Sequence, residues 1–286
     1  MRIARELSAE YGLRVCPMTV SHWINGNRKP AIMNIFRDEA SPQLSYIIGA
    51  ALGDGCSLEK SGCVKLEVTD KDFAQVFNSS MARLFNREVS NKIFVRRFEG
   101  DRLPLFVVKH NSKQLTNLLR LPMKKLLDLA FAFPREFLRG FFDAEGHVDV
   151  SATDYFSVIA GVENLNKLLL LRIKKILLAA FGINSSVSLK RRSGTVKTIR
   201  AKSFRMRKSS FTLRICRLRD LQEFRQRIGF SISRKNEKLS DALLTSERYG
   251  RNERSTQWRQ EYIKIRGEWI RRRLSSLIPI KGIKEG

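Results

Sequence analysis

The segments Ile47-Ile48-Gly49-Ala50-Ala51-Leu52-Gly53-Asp54-Gly55 and Leu138-Arg139-Gly140-Phe141-Phe142-Asp143-Ala144-Glu145-Gly146 spell one pattern twice, with Asp54 and Glu145 91 residues apart. Each reads as an apolar helix ending in an acid and a glycine. Small residues four apart, Gly49/Gly53 and Gly140/Ala144, let two such helices approach closely. Packed side by side and parallel, they would bring Asp54 and Glu145 together at one end. That end is a helix C-terminus, where a carboxylate costs roughly 0.3–1 kcal/mol, and two neighbouring carboxylates also repel. A divalent cation between them removes both penalties, and hard oxygen donors suit Mg²⁺.

Outward from these segments, the chain runs twice through one programme. In the first pass a helix over 44–55 leads into alternating strands, a helix near 72–85, a second hairpin and a helix over 112–119. In Val64-Lys65-Leu66-Glu67-Val68-Thr69 the period is two, with Val64, Leu66 and Val68 on the buried face. The second pass opens with a helix over 134–146, where Pro134 suits the first turn. Strands follow to about 159, then a helix over 163–181, a long basic hairpin region and a helix over 218–228. The expected organisation is a leader over 1–40, a first half over 41–122, a linker over 123–133, a second half over 134–240 and a basic helical tail over 241–286. In the leader, helices over 4–10 and 18–25 outline a helix-turn-helix, with Val20, Trp23 and Ile24 on the packing face.

Charge indicates the partner. Lys and Arg number 54 against 28 Asp and Glu among 286 residues, a formal charge of +26. Such a surface calls for a polyanion. No apolar run reaches the roughly 18–20 residues of a membrane span, and the start of the chain lacks signal-peptide character. Four cysteines without a CxxC pair read as thiols of a reducing compartment. An intracellular protein is expected, in the cytoplasm or nucleoid of a prokaryote or in an organelle.

The basic residues gather on strands. Lys65 and Glu67 share the solvent face of their strand, Lys92, Arg96, Arg97 and Lys109 sit on the arms of the next hairpin, and all six are candidate DNA contacts. Residues 187–219 hold twelve Lys or Arg and no acid, interleaved with Phe204, Phe211, Leu213 and Ile215. A folded ribbon of this kind fits a major groove. Lys190, Arg191, Arg192, Arg205, Arg207 and Arg214 are its candidate DNA contacts.

The paired segments, with Ile228-Gly229-Phe230, Arg234-Lys235 and Lys238-Leu239, resemble the monomeric, two-motif LAGLIDADG homing endonucleases encoded within introns or inteins. The resemblance covers about residues 44–239. It implies an α+β fold: two pseudo-symmetric αββαββα halves with saddle-shaped antiparallel sheets and a central two-helix interface. It also implies a monomeric, site-specific double-strand DNA endonuclease. Asp54 and Glu145 would be its catalytic metal ligands and Gly53 and Ala144 would complete the metal site, with Mg²⁺ its cofactor and Mn²⁺ a substitute.

By position Lys71 matches the family's basic residue that polarises water or steadies the charged transition state. The corresponding place in the second half, near 160–163, has no lysine, so the two strands are expected to be cut at different rates. Leu52 departs from an acidic position that Asp143 retains, and His147 reads as a polar strand-start residue. A freestanding enzyme is expected rather than an intein. The alternatives are an RNA maturase acting on intron RNA and a catalytically silent regulator that binds DNA.

Overall fold

A computed structural model describes residues 2–11, 15–26, 36–37, 39–53, 56–58, 62–88, 93–98, 103–199, 202–265 and 267–272. Helix α3 (Pro42–Leu52) begins where Ser41 accepts a hydrogen bond from the Leu44 N–H and where Pro42 occupies the first turn. It leads into β1 (Cys56–Leu58), β2 (Cys63–Val68), α4 (Lys71–Leu84), β3 (Phe94–Arg96), β4 (Leu105–Asn111) and α5 (Lys113–Leu119). The segment read as a linker carries a helix, α6 (Met123–Ala130).

The second pass is α7 (Pro134–Glu145), β5 (Gly146–Ala152), β6 (Phe156–Asn164), α8 (Lys167–Phe181), β7 (Ser186–Arg191), β10 (Ser210–Ile215) and α9 (Leu218–Arg227). A two-stranded ribbon, β8 (Val196–Ile199) with β9 (Lys202–Arg205), interrupts it between β7 and β10. The sheets have matching antiparallel orders, β1-β2-β4-β3 and β5-β6-β10-β7. The chain therefore has the expected mixed fold of two αββαββα halves, with α3 and α7 between them.

Both motif helices are buried on nearly all sides, because each packs on the other and on its own sheet. Leu44, Ile47, Ile48, Phe137, Leu138, Phe141 and Phe142 are fully buried. Phe142, Phe224 and Phe230 meet with ring centroids 4.7 to 6.1 Å apart, which ties α7 to the end of the second half.

In the leader, α1 (Arg2–Tyr11) packs beside α2 (Pro17–Ile24). Val20 is buried there, but Ile24 is 67% exposed and does not share its packing face. Phe36 belongs to the core of the first half. Its N–H donates to Gln114 at 3.1 Å, its carbonyl accepts from Gln114 at 2.7 Å, and its ring meets Phe85 edge-on.

The tail is helical in α10 (Ser233–Arg248) and α11 (Arg254–Glu261), and then departs from the helical expectation. Tyr262–Ile265 and Glu268–Arg271 form an antiparallel hairpin, β11 and β12. Tyr262, Ile263 and Ile265 favour strand, and Gly267 takes the left-handed turn with φ +88°. The hairpin and α11 cover β5. Trp258 stacks on Tyr262 at 3.9 Å, Trp269 Nε1 donates to the Val150 carbonyl at 2.8 Å, and Arg259 donates to the carbonyls of Ala152 and Thr153. No described helix is long and apolar enough to cross a membrane.

Candidate helix-end site and nucleic-acid interface

Helices α3 and α7 meet backbone to backbone. A Cβ placed on Gly49 would lie 2.1 Å from the Phe137 carbonyl oxygen, and one on Gly140 would lie 2.2 Å from that of Tyr46. Only glycine permits this separation. One helix end further, a Cβ on Gly53 would lie 2.8 Å from Ala144 Cβ and 3.2 Å from Glu145 Cγ. The contacts advance in the same direction along both chains, so the helices are parallel and their C-terminal ends coincide. Gly53, Ala144 and Glu145 meet there. Asp54, expected to pair with Glu145, lies outside the described residues.

The end of α7 is held by a polar network. Asp143 is buried and accepts from the Tyr46 hydroxyl of α3 at 2.9 Å, from the Ser231 N–H at 2.8 Å and from the Ser231 hydroxyl. Burial pushes its carboxyl up, against the opposing pull of these hydrogen bonds and of Lys235. Burial, reinforced by the charge of Asp143, also raises the Tyr46 phenol well above its ordinary value. Asp143 thus joins the two helices and is occupied in doing so.

Lys235, on α10, supplies the cation at this end. Its Nζ lies 2.9 Å from the Asp143 carbonyl oxygen and 3.4 Å from that of Phe142, over the Phe230 ring at 5.5 Å. An ammonium on the last carbonyls of a helix complements its dipole. Burial lowers its pKa to about 8, although Asp143 and Glu145 pull the other way. In the sequence Arg234-Lys235 reads only as the close of a repeat, and nothing local marks Lys235, since its partners lie 92 and 93 residues away.

Neighbouring residues of the same segment grip the first half. Arg234 forms a two-pronged ion pair with Asp70 at 2.6 and 2.9 Å, and the Ser233 N–H donates to Asp72. A cleft of about 590 Å³ opens beside this junction, with Thr69, Asp70, Ala144, His147, Asp149 and Lys235 among its walls. Burial lowers the His147 pKa against the pull of Asp149, 3.4 Å away.

Lys71 is the exposed first residue of α4 and is not part of the cleft wall. Its topological counterpart is Lys167, the first residue of α8, following N-cap Asn166 as Lys71 follows N-cap Asp70. The expectation that the second half has no matching lysine is thereby corrected. Strands β5 and β6 have 7 and 9 residues where β1 and β2 have 3 and 6. Counting forward from the motif acid therefore falls short of Lys167.

On the first sheet Lys65 lies opposite Lys109, and Glu67 bridges Lys65 at 2.9 Å and Arg96 at 2.8 Å. Arg97 is exposed, and Lys92 lies outside the described residues. On the second sheet Lys190 and Arg191 both reach Glu163, and Arg214 donates to Ser188 Oγ at 3.2 Å. Arg192, Arg205 and Arg207 are exposed around the β8–β9 ribbon. The candidate cations thus divide between the two sheets and the ribbon rather than gathering at the helix ends.

Residues 132–229 match the family model described as a LAGLIDADG-like domain. The uncharacterized protein MJ0398 of Methanocaldococcus jannaschii is 29% identical over 254 residues, spanning 87% of this chain and 89% of that protein. Among solved structures, full-length DUF199/WhiA from Thermatoga maritima aligns with a TM-score of 0.47 at 16% identity, over 80% of this chain and 69% of that one. The homing endonuclease I-DmoI in complex with DNA and Mn aligns with a TM-score of 0.42 at 18% identity, over 67% and 98% of the two chains.

Proposed function

We propose that the protein binds double-stranded DNA across its two sheets and hydrolyses one phosphodiester on each strand, using a divalent cation held by Asp54 and Glu145. The observation that carries this reading is the contact of Gly53 with Glu145 at the joined ends of two parallel helices. It sets one acid of the duplicated motif against the residue that precedes the other in sequence. The donor set is of the hard oxygen type that Mg²⁺ or Mn²⁺ takes. Glu145 contributes a carboxylate, with the Gly53 and Ala144 backbones beside it. When bound, the cation would supply a polarised water and neutralise charge on the scissile phosphate.

The chain's own groups do the rest. Through Asp143, Tyr46 in the first half of α3 and Ser231 hold α3 and the chain after α9 to the end of α7. Lys235 offsets the negative end of α7. Lys65, Lys109, Lys190, Arg191 and Arg214, with Arg96, Arg97, Arg192, Arg205 and Arg207, supply contacts to phosphates and base edges. Lys71 and Lys167 serve as flanking cations, one to each half.

A second reading, binding without cleavage, is favoured by Lys235: an ammonium already lies at the end where a metal would compensate the acids. One experiment separates the two. Duplexes enriched from a randomised library by binding to the purified protein are incubated with Mg²⁺. Defined double-strand ends support the nuclease, enriched but intact duplexes support the regulator, and failure to enrich any sequence refutes both.

A further inference from the structure

Two carboxylates occupy matching places on the two sheets. Glu67 pairs with Val107 one residue before β2 ends opposite Phe106, and Glu163 pairs with Thr212 one residue before β6 ends opposite Phe211. Each is the penultimate residue of the second strand of its half, three residues before a helix N-cap. Each also reaches across the adjoining strand to a cation on the outer one. Glu67 spans β4 to Arg96 and holds Lys65 on its own strand, while Glu163 spans β10 to Lys190 and Arg191. The side chains of Glu67 and Glu163 are 28% and 32% accessible, so both carboxylates lie partly exposed on the sheet, although the Glu67 oxygen that meets Arg96 is itself buried. For Glu163, burial pushes the carboxyl up, but the hydrogen bond and charge of Lys190, with Arg191 and His147, hold it below its ordinary value.

Acids are outnumbered nearly two to one in this chain. A carboxylate on a surface that receives DNA repels phosphates and so weakens indiscriminate binding. It also holds an arginine fork or ammonium in a fixed place before the DNA arrives, which lowers the ordering cost of a directed contact. Facing a groove, it accepts a hydrogen bond only from a base that offers an N–H, such as the cytosine amino group.

We propose that Glu67 and Glu163 are matched selectivity residues, which restrain the cations of each sheet from gripping any duplex and reserve them for base edges of the correct one. This rests on the DNA-binding reading above and adds which residues set discrimination.

The test is binding of the full chain to an enriched duplex and to a random duplex of equal length across a salt series. For the E67Q/E163Q variant, random-duplex affinity should rise about tenfold and its log–log salt slope should steepen by about one to two, while the enriched duplex gains less. The ratio between the two duplexes should fall. Adding R96Q should cancel the part due to E67Q, a coupling that a merely structural glutamate would not produce. An E67Q/E163Q variant with wild-type melting and unchanged random-duplex affinity and slope overturns the proposal. A wild type that binds no duplex refutes the DNA reading instead.

Discussion

Gly49 of α3 touches Phe137 of α7 so closely that a methyl group on Gly49 would lie 2.1 Å from the Phe137 carbonyl oxygen, with the same relation repeated between Gly140 and Tyr46 at 2.2 Å. Neither obstacle is a flexible side chain, so the backbones must part to admit an alanine. Gly49→Ala and Gly140→Ala should each destabilise the fold by about 1–3 kcal/mol, despite alanine's helix propensity advantage of about 1 kcal/mol. Thermal melts measure this directly. An unchanged or raised melting temperature would mean that the helices are not in backbone contact.

Lys235 makes stability depend on pH in a defined direction. Its pKa is about 8 in the folded protein against an ordinary 10.5. Between those values the unfolded chain holds one proton more, so its contribution rises with pH and is complete by about 10.5. Below pH 8 the buried ammonium costs at most about 3 kcal/mol. The stability of wild type relative to Lys235→Met should therefore shift toward wild type by up to that amount between pH 7 and 10.5. Denaturant unfolding at several pH values would show a flat difference if Lys235 has its ordinary pKa.

The leader is joined to the body through Phe36, which is 7% exposed and bonded twice to Gln114. Removing residues 1–35 should leave the cooperative melt of the body nearly intact. Removing residues 1–40 takes Phe36 as well and should cost about 3–5 kcal/mol more. Equal losses in the two truncations would show that Phe36 is not the anchor.

The tail is a cover for β5. Ending the chain after Arg248 removes the donors to the Val150, Ala152 and Thr153 carbonyls and the fully buried Trp258. That variant should aggregate or lose its cooperative transition, because it uncovers β5, the edge strand of the second sheet. A soluble, normally melting variant would contradict this role.

The duplicated segments made the fold readable, since apolar helix, small residues and terminal acid are local features that survive in any context. The strand period of Val64 to Thr69 was legible for the same reason. What the sequence hid depends on distance. Arg234 and Asp70 are 164 residues apart, and Lys235 finds its carbonyls only after the chain has passed through the whole second half. The hairpin from Tyr262 was obscured because charged residues break its short alternation. What anchors it, the Val150 carbonyl that Trp269 meets, lies more than a hundred residues upstream.

The most direct test of metal-dependent hydrolysis at the joined helix ends is strand-resolved cleavage of an enriched duplex by wild type and by Glu145→Gln, each with Mg²⁺ and with chelator, alongside the affinity of both for the same duplex. Removing this carboxylate should abolish cleavage while binding stays within about tenfold, because Glu145 lies at the helix ends and not among the cations of the sheets. Cleavage by Glu145→Gln at the wild-type rate, or an uncut duplex with wild type and Mg²⁺, would contradict the account.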